Sequence, residues 1–437
     1  MRSSLLNLLL CIFLQKLSNS EKITFENVTV LWRLGYKVEK MVATSDNLKK
    51  IIPDKEQVSV KITGNVPILY ENPVFDIPNL NTLELFRVGL EEIKPGAFGN
   101  LQLLETLLLS WNNLTQIKTD TFVNQDISYV DLSYNSIILL QPGAFKNFNA
   151  DHLKLNNNKL TKFPSGVFEN VTLEMLSLCG NFLHTIAPKA LSTLSLKKLS
   201  LRDNKFEEID PEVLDVQELK SLDLDFNSIK LLRPGDLKNL PQLNELRLGG
   251  NKLEEIPEGV FNATKLTYLD LSSNEIAKIG SKSFDDMSKL EVLHIDFNNL
   301  TRWDNNWLSG ASPSVSISVS FNHITEIPDE AFKNYPRVTK IELHRNYIET
   351  ISAKAFDKLE HVDYLDLTYN QINNWSPDLL GDVSVGTLDL TGNKLECVEG
   401  DLKTIFKNVE YTILRENPWN EECVKKVEEF INNNGGF

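Results

Sequence analysis

The side chains in this 437-residue sequence that could do chemistry are six histidines, four cysteines and a long series of carboxylates. Zinc-assisted hydrolysis would need two histidines four residues apart on one helix face with a glutamate between them, and no His-Glu-x-x-His run occurs. Acyl transfer from a strained serine would need a Gly-x-Ser-x-Gly elbow, which is absent, as are a Walker loop and a Cys-x-x-Cys pair. The nearest approach to a metal set is Glu342 with His344 and His294 with Asp296. Two repeats of the pattern described below separate them, about 10 Å at 4.8 Å per strand, too far for one ion. No catalytic residue, metal or other cofactor is assigned, and the chain is not expected to be an enzyme.

The sequence begins as a secretory leader would. Arg2 supplies a positive start, Leu5–Leu14 an apolar run, and Ser18-Asn19-Ser20 small residues before a cut at Glu21. No later run is long enough to span a membrane. Without Arg2 and Lys16 the formal charge of −15 becomes about −17, a surface that repels phosphate backbones and anionic lipid. Nucleic acid and polybasic membrane attachment are therefore excluded as partners. Six Asn-x-Ser/Thr triplets, at Asn27, Asn113, Asn170, Asn262, Asn299 and Asn374, are candidate glycosylation sites that agree with a secreted, extracellular protein.

What must position any surface chemistry is a repeat. From Leu80 onward L-x-x-L-x-L-x-x-N-x-L-x-x-I/L recurs in fourteen copies, the last beginning at Val385, with a mean spacing near 23.5 residues. Asn fills position 9 in thirteen of them, Val88 being the exception, and Phe or Leu fills position 19 almost throughout. Positions 4 and 6 alternate with outward-facing neighbours, so they enter a core from a short strand. The Asn is placed to bond backbone groups where the chain leaves that strand, at a saving of roughly 1–3 kcal/mol per polar group otherwise left unpaired. Such a coil cannot bury its apolar face alone, so the copies must stack into an α/β solenoid with a parallel sheet on its concave face.

The organisation expected is a leader over 1–20, an N-terminal cap of degenerate repeats over 21–79, about fourteen repeats over 80–403, and a C-terminal cap over 404–437. Within the first cap, one degenerate coil starts at Gln57 (Val60, Ile62, Asn65) and another at Val38 (Met41, Ala43, Asp46, Leu48, Ile51). Val409–Leu414 suggests a last strand, and Val424–Ile431 an amphipathic closing segment.

This pattern resembles the extracellular, 24-residue class of leucine-rich repeat proteins, and Asn417-Pro-Trp-Asn-Glu-Glu-Cys423 looks like their cysteine-bearing C-terminal flank. The resemblance implies a leucine-rich repeat horseshoe. The plan is similar to secreted arthropod leucine-rich repeat proteins, including the mosquito leucine-rich immune proteins, which implies recognition in innate immunity. The sequence departs from that plan in lacking an N-terminal cysteine cluster and a C-terminal coiled coil. With Cys11 gone with the leader, Cys397 and Cys423 are expected to pair in a disulfide-bearing cap, closing a loop of about 27 residues for roughly 3 kcal/mol. Cys179, at position 7 of its repeat, is left as an inert thiol, a reactive one, or the site of an intermolecular disulfide to a partner.

The remaining function is that of a surface. Position 5 is often acidic (Glu84, Asp131, Asp223, Asp270, Glu342, Asp366, Asp389), joined by Asp225 and Asp296 at position 7. Position 8 is often aromatic (Trp111, Tyr134, Phe226, Phe297, Phe321, Tyr369). Rings beside charges are what protein interfaces favour. The ligand-binding candidates are Asp131, Tyr134, Asp223, Asp225, Phe226, Asp270, Asp296, Phe297, Glu342, Asp366 and Tyr369; the same residues could instead cap the sheet edge at each turn. A basic island of Lys154, Lys198, Arg202 and Arg247 interrupts the acidic row. Three functions fit: a recognition protein holding a protein or glycan ligand on its concave face, a matrix or adhesion protein, or an inhibitor that wraps a secreted enzyme.

Overall fold

The structure is a computed structural model and describes residues 25–34, 37–45, 52, 58–71, 77, 79–99, 101–262, 264–284, 287–307, 315–334 and 337–434. The expected leader Met1–Ser20 lies outside the described residues, as do Asp46, Leu48, Ile51, Gln57 and Ser314. The chain divides into two compact units, 1–196 and 197–437, a division that falls inside the repeat array.

Each unit is a parallel β-solenoid built as the spacing demands. In the first, the position 4 residues stand in direct register across successive strands: Leu83 beside Leu107, Leu107 beside Val130, Val130 beside Leu153, Leu153 beside Leu176. In the second the row runs from Leu199 through Leu222, Leu246, Leu269 and Leu293 to Ile317, Ile341, Leu365 and Leu388. All of these side chains are buried, so one missing residue per coil would turn each strand's apolar set outward.

The asparagines hold the turn as their position predicts. Asn227 is typical: its Nδ2 donates to the carbonyls of Leu201 (3.0 Å) and Leu224 (2.9 Å), while its Oδ1 accepts from the Phe206 N–H (3.1 Å). One buried side chain thus satisfies backbone groups of its own coil and of the coil before it. The ladder runs one coil beyond the fourteen. Asn417 donates to Leu390 O (2.9 Å) and Leu414 O (3.2 Å), so the Asn-Pro-Trp segment is a continuation of the repeat as well as a cap.

Behind the sheet the phenylalanines of position 19 stack. Phe98 lies on Phe122 (centroids 5.3 Å), Phe122 on Phe145 (5.0 Å), and in the second unit Phe261 on Phe284 (5.8 Å) and Phe332 on Phe356 (5.6 Å). The return side is turns and two-residue parallel strands, for example Gln116–Ile117 beside Leu139–Leu140. Among the described residues the helices are Leu402–Ile405 and Glu421–Asn434, both near the C-terminus.

The ends differ. Val58–Thr63 pairs in parallel with Leu80–Glu84, as a degenerate coil should. The Val38 coil is not formed: Lys37–Ser45 runs antiparallel to Phe25–Leu34, which is itself antiparallel to Val58–Thr63. Only two residues part the first two strands, far fewer than the dozen or so a parallel crossover requires, so a hairpin is the only pairing open to them. At the other end Cys397 and Cys423 form a disulfide with Cα atoms 5.3 Å apart. Asn420 caps the last helix by accepting from Glu422 N (3.1 Å) and Cys423 N (2.9 Å), and Phe430 packs on Phe406 (5.7 Å).

Candidate functional site

Position 8 is the point where every strand gives way to its turn, and in all fourteen repeats that residue has a positive φ, from Arg87 (54°) to Gly392 (70°). Six of the fourteen are aromatic, held in a conformation that costs a non-glycine residue of order 1 kcal/mol or more. The rings stand half out of the surface, Phe226 and Phe297 each 52% exposed, and their faces are matched to neighbours one coil away. In the first unit Arg87 lies over Trp111 (4.4 Å) and Trp111 stacks on Tyr134 (4.4 Å). In the second, Phe297 stacks on Phe321 (4.1 Å), and Arg345 lies between Phe321 (5.6 Å) and Tyr369 (4.9 Å).

The aspartates of position 5 have a local task at the strand end, each accepting from the backbone N–H two residues on. Asp131 Oδ1 accepts from Ser133 N (2.9 Å), Asp270 Oδ1 from Ser272 N and Oγ (2.9 and 2.6 Å), and Asp366 Oδ1 from Thr368 N and Oγ1 (2.9 and 2.7 Å). Asp223 accepts from Asp225 N (3.1 Å) and Ser200 Oγ (3.1 Å). Each therefore caps the strand end with at least one oxygen. Asp225 goes further: it is 5% exposed, accepting from Gly249 N (2.7 Å) and paired with Arg202 Nη1 (2.7 Å). Burial, with Asp223 nearby, pushes its carboxyl up to about 6. Its charge is internal, which removes it from the exposed row where the sequence placed it.

Five of the candidates come together. Asp296, Phe297, Glu342, Asp366 and Tyr369 line a shallow trough of about 500 Å³ on the open face of the second unit's sheet. Asp223, Asp225, Phe226 and Asp270 are not among its lining, and Asp131 and Tyr134 belong to the other unit. The trough also takes residues whose roles only the third dimension shows. His344 Nδ1 meets Thr368 Oγ1, and because that hydroxyl gives its one proton to Asp366, the imidazole is the donor in this contact. Asp296 accepts from Ser320 N (2.8 Å) and from Ser318 Oγ, and its other oxygen lies 3.5 Å from His294 Nδ1. That carboxylate raises the His294 pKa against the opposing effect of burial. The recurring Asp-Leu-Thr/Ser triplets (131–133, 270–272, 366–368, 389–391) were the available signal for the hydroxyls. For His344 there was none.

Cys179 is half-buried just past the strand Thr172–Ser177, and its carbonyl accepts from Asn157 N (2.8 Å). All six sequon asparagines are exposed. Among the described residues no group of three or more His, Cys, Asp or Glu side chains is arranged to hold a metal ion, and no helix is long and apolar enough to cross a membrane.

No curated protein sequence matches significantly. Among solved structures, similarity is found to a leucine-rich repeat protein of Leptospira interrogans (23% identity, TM-score 0.60, covering 83% of this chain and 91% of that one). The Drosophila Toll–Spätzle complex is matched at 20% identity and TM-score 0.59 over 79% of this chain, which spans about half (51%) of the Toll chain. The plant peptide hormone receptor RGFR1 in complex with RGF2 is matched at 23% identity and TM-score 0.53, covering 81% of this chain and 57% of that one. At these identities the likeness is one of fold. The sequence profile described as Leucine rich repeat matches residues 78–137, 148–206, 195–253, 241–300, 264–312, 315–372 and 336–395. Those segments cover well over half of the chain, which belongs to the leucine-rich repeat family.

Proposed function

We propose that the chain is a secreted, non-enzymatic recognition protein that holds a protein or glycan ligand on the concave face of its sheet. The observation that carries this reading is the row of half-exposed rings at position 8, beside a trough of acids, imidazoles and hydroxyls. The position itself has no need of a ring: Asn157, Asp203, Ser273 and Gly250 occupy it with the same sign of φ. Large exposed aromatics held rigidly next to hydrogen-bonding groups are the material of binding hot spots. Toll and the plant peptide hormone receptor, solved in complex with Spätzle and RGF2, supply a precedent for the same fold in ligand recognition. Secretion is supported by the exposed sequons, the disulfide cap and the resemblance of residues 1–20 to a leader. An innate-immune role rests on the resemblance to arthropod immune proteins.

The test is affinity capture from the source animal's extracellular fluid with the tagged mature chain and a Phe226→Ser, Phe297→Asn variant, eluted with and without reductant. Serine and asparagine are residues the position already accepts elsewhere in the ladder, so the variant should melt as the parent does. A discrete partner held by the parent and lost by the variant supports the reading. A partner held equally by both moves the site off the ring row, and one released only by reductant and lost in Cys179→Ser makes it disulfide-linked.

A further inference from the structure

The position 5 row of the second unit can be followed strand by strand, each residue directly in register with the next. Asp223 stands beside Arg247, Arg247 beside Asp270, and Asp270 beside His294, so each acid there has a basic neighbour. The first unit does the same, setting Lys61 beside Glu84 and Asp131 beside Lys154. The alternation then stops. After Ser318 come Glu342, Asp366 and Asp389 on three adjacent strands, about 4.8 Å apart. Like charges directly across a ladder oppose one another, and nothing in the repeat pattern demands acids in all three places.

The chain's own cations answer only part of this charge. Lys340 Nζ pairs with Glu342 (2.7 Å), and Arg345, the next cation along, has its guanidinium over the rings of Phe321 and Tyr369. Among the described residues no salt bridge reaches Asp366 or Asp389. Each has Oδ1 tied to the threonine two residues on, as Thr391 N (2.9 Å) and Oγ1 (2.6 Å) do for Asp389, and Oδ2 accepts no hydrogen bond among the described residues. Elsewhere on the same sheet this chemistry is completed internally. Arg202 meets the Asp225 carboxylate at 2.7 Å while lying 4.4 Å from the Phe226 ring centroid, a cation seated on an acid with its flat side against an aromatic face. The trough brings the same two components together, the acids and the rings of Phe297, Phe321 and Tyr369, but Arg345, the cation over two of those rings, makes no salt bridge with Asp366 or Asp389 among the described residues.

We propose that the trough receives an arginine or lysine side chain of a protein ligand, its charge placed between Asp366 and Asp389 and its stem against the aromatic lining. The inference rests on the reading of this face as the binding face, and it narrows the ligand to one that presents a basic side chain.

The experiment is calorimetric titration of the full mature chain with a tetra-arginine peptide and with its tetra-citrulline counterpart, which keeps the shape and removes the charge. Two pairs of substitutions that change the net charge equally are compared: Asp366→Asn with Asp389→Asn in the trough, and Glu212→Gln with Glu218→Gln at exposed positions away from it. Asparagine retains the Oδ1 acceptor that the turn needs, and Glu342→Gln, which disturbs no turn bond, serves as a third variant. The arginine peptide should bind at least tenfold more tightly than the citrulline peptide. The trough pair should lose at least tenfold, Glu342→Gln severalfold, and the distant pair nothing. Equal binding of the two peptides, or equal losses from the two pairs, would overturn the proposal. If the arginine peptide fails while the ring variant still loses a natural partner, the basic-ligand inference alone falls; if neither responds, the binding-face reading falls with it.

Discussion

The ring of Phe226 lies over Gly250, so that a Cβ added to the glycine would sit 2.7 Å from Phe226 Cδ1. The same relationship recurs between Tyr369 and Gly392, again at 2.7 Å. Both glycines are position 8 residues with positive φ, 66° and 70°, so each is required twice over: by the backbone and by the ring of the preceding coil.

Gly250→Ala should therefore destabilise the chain by about 2–3 kcal/mol, of which about 1 kcal/mol is the cost of alanine at that φ. The remainder is steric, and combining it with Phe226→Ser should recover that part. Denaturant unfolding of the two single variants and the double variant measures the coupling. Additive losses would show that ring and glycine do not interact.

The asparagine ladder predicts a larger effect at Asn227. Replacing it with alanine removes acceptors and donors at once, leaving the Phe206 N–H and the Leu201 and Leu224 carbonyls without that partner in a buried turn. A loss of about 2–4 kcal/mol is expected in chemical unfolding. Asn417→Ala, in the half-buried last coil where water can substitute, should lose less than half as much.

How far these relations could be read beforehand depends on whether the repeat dictates them. Leu222, Asn227 and Phe261 were legible because a single spacing fixes which way each points. The Asp-Leu-Ser/Thr triplets show which acids have a hydroxyl two residues on, but not that Asp366 and Asp389 would each tie one carboxylate oxygen there. The burial of Asp225 is not legible because its partners Arg202 and Gly249 are each one coil away, and no pattern along the chain records those contacts. The hairpin at Phe25–Ser45 was missed for a different reason. The apolar residues after Val38 fit the repeat phase, and only the strand ends at Leu34 and Lys37 show that the two strands must pair antiparallel.

Loss of the disulfide should be felt at the C-terminal end. Cys397→Ser with Cys423→Ser frees a loop closed across 26 residues and removes a buried anchor of the final helix, for about 3 kcal/mol. Hydrogen exchange should localise the change, with protection falling first in Glu421–Asn434 and Val409–Ile413. Uniform loss along the chain would show instead that the cap governs the whole array.

Asp225 gives a pH dependence of unusual sign for a carboxylate. Its pKa is raised from 3.8 to about 6, chiefly by burial and then by Asp223, with Asp270 adding to the rise and the Gly249 N–H and Arg202 opposing it. The folded protein consequently holds this proton more tightly than the unfolded chain does. Between about pH 4 and pH 6 the folded state binds more protons, so stability attributable to this group falls as pH rises and levels off above about pH 6. At about 1.4 kcal/mol per pH unit the full change is on the order of 2–3 kcal/mol. Asp225→Asn keeps the acceptor for Gly249 and cannot ionise, so the measure is the difference in unfolding free energy between parent and variant at several pH values. That difference should move against the parent by this amount between about pH 4 and pH 7. A difference that stays flat would mean Arg202 neutralises Asp225 completely, and the buried carboxylate would then be an ordinary ion pair.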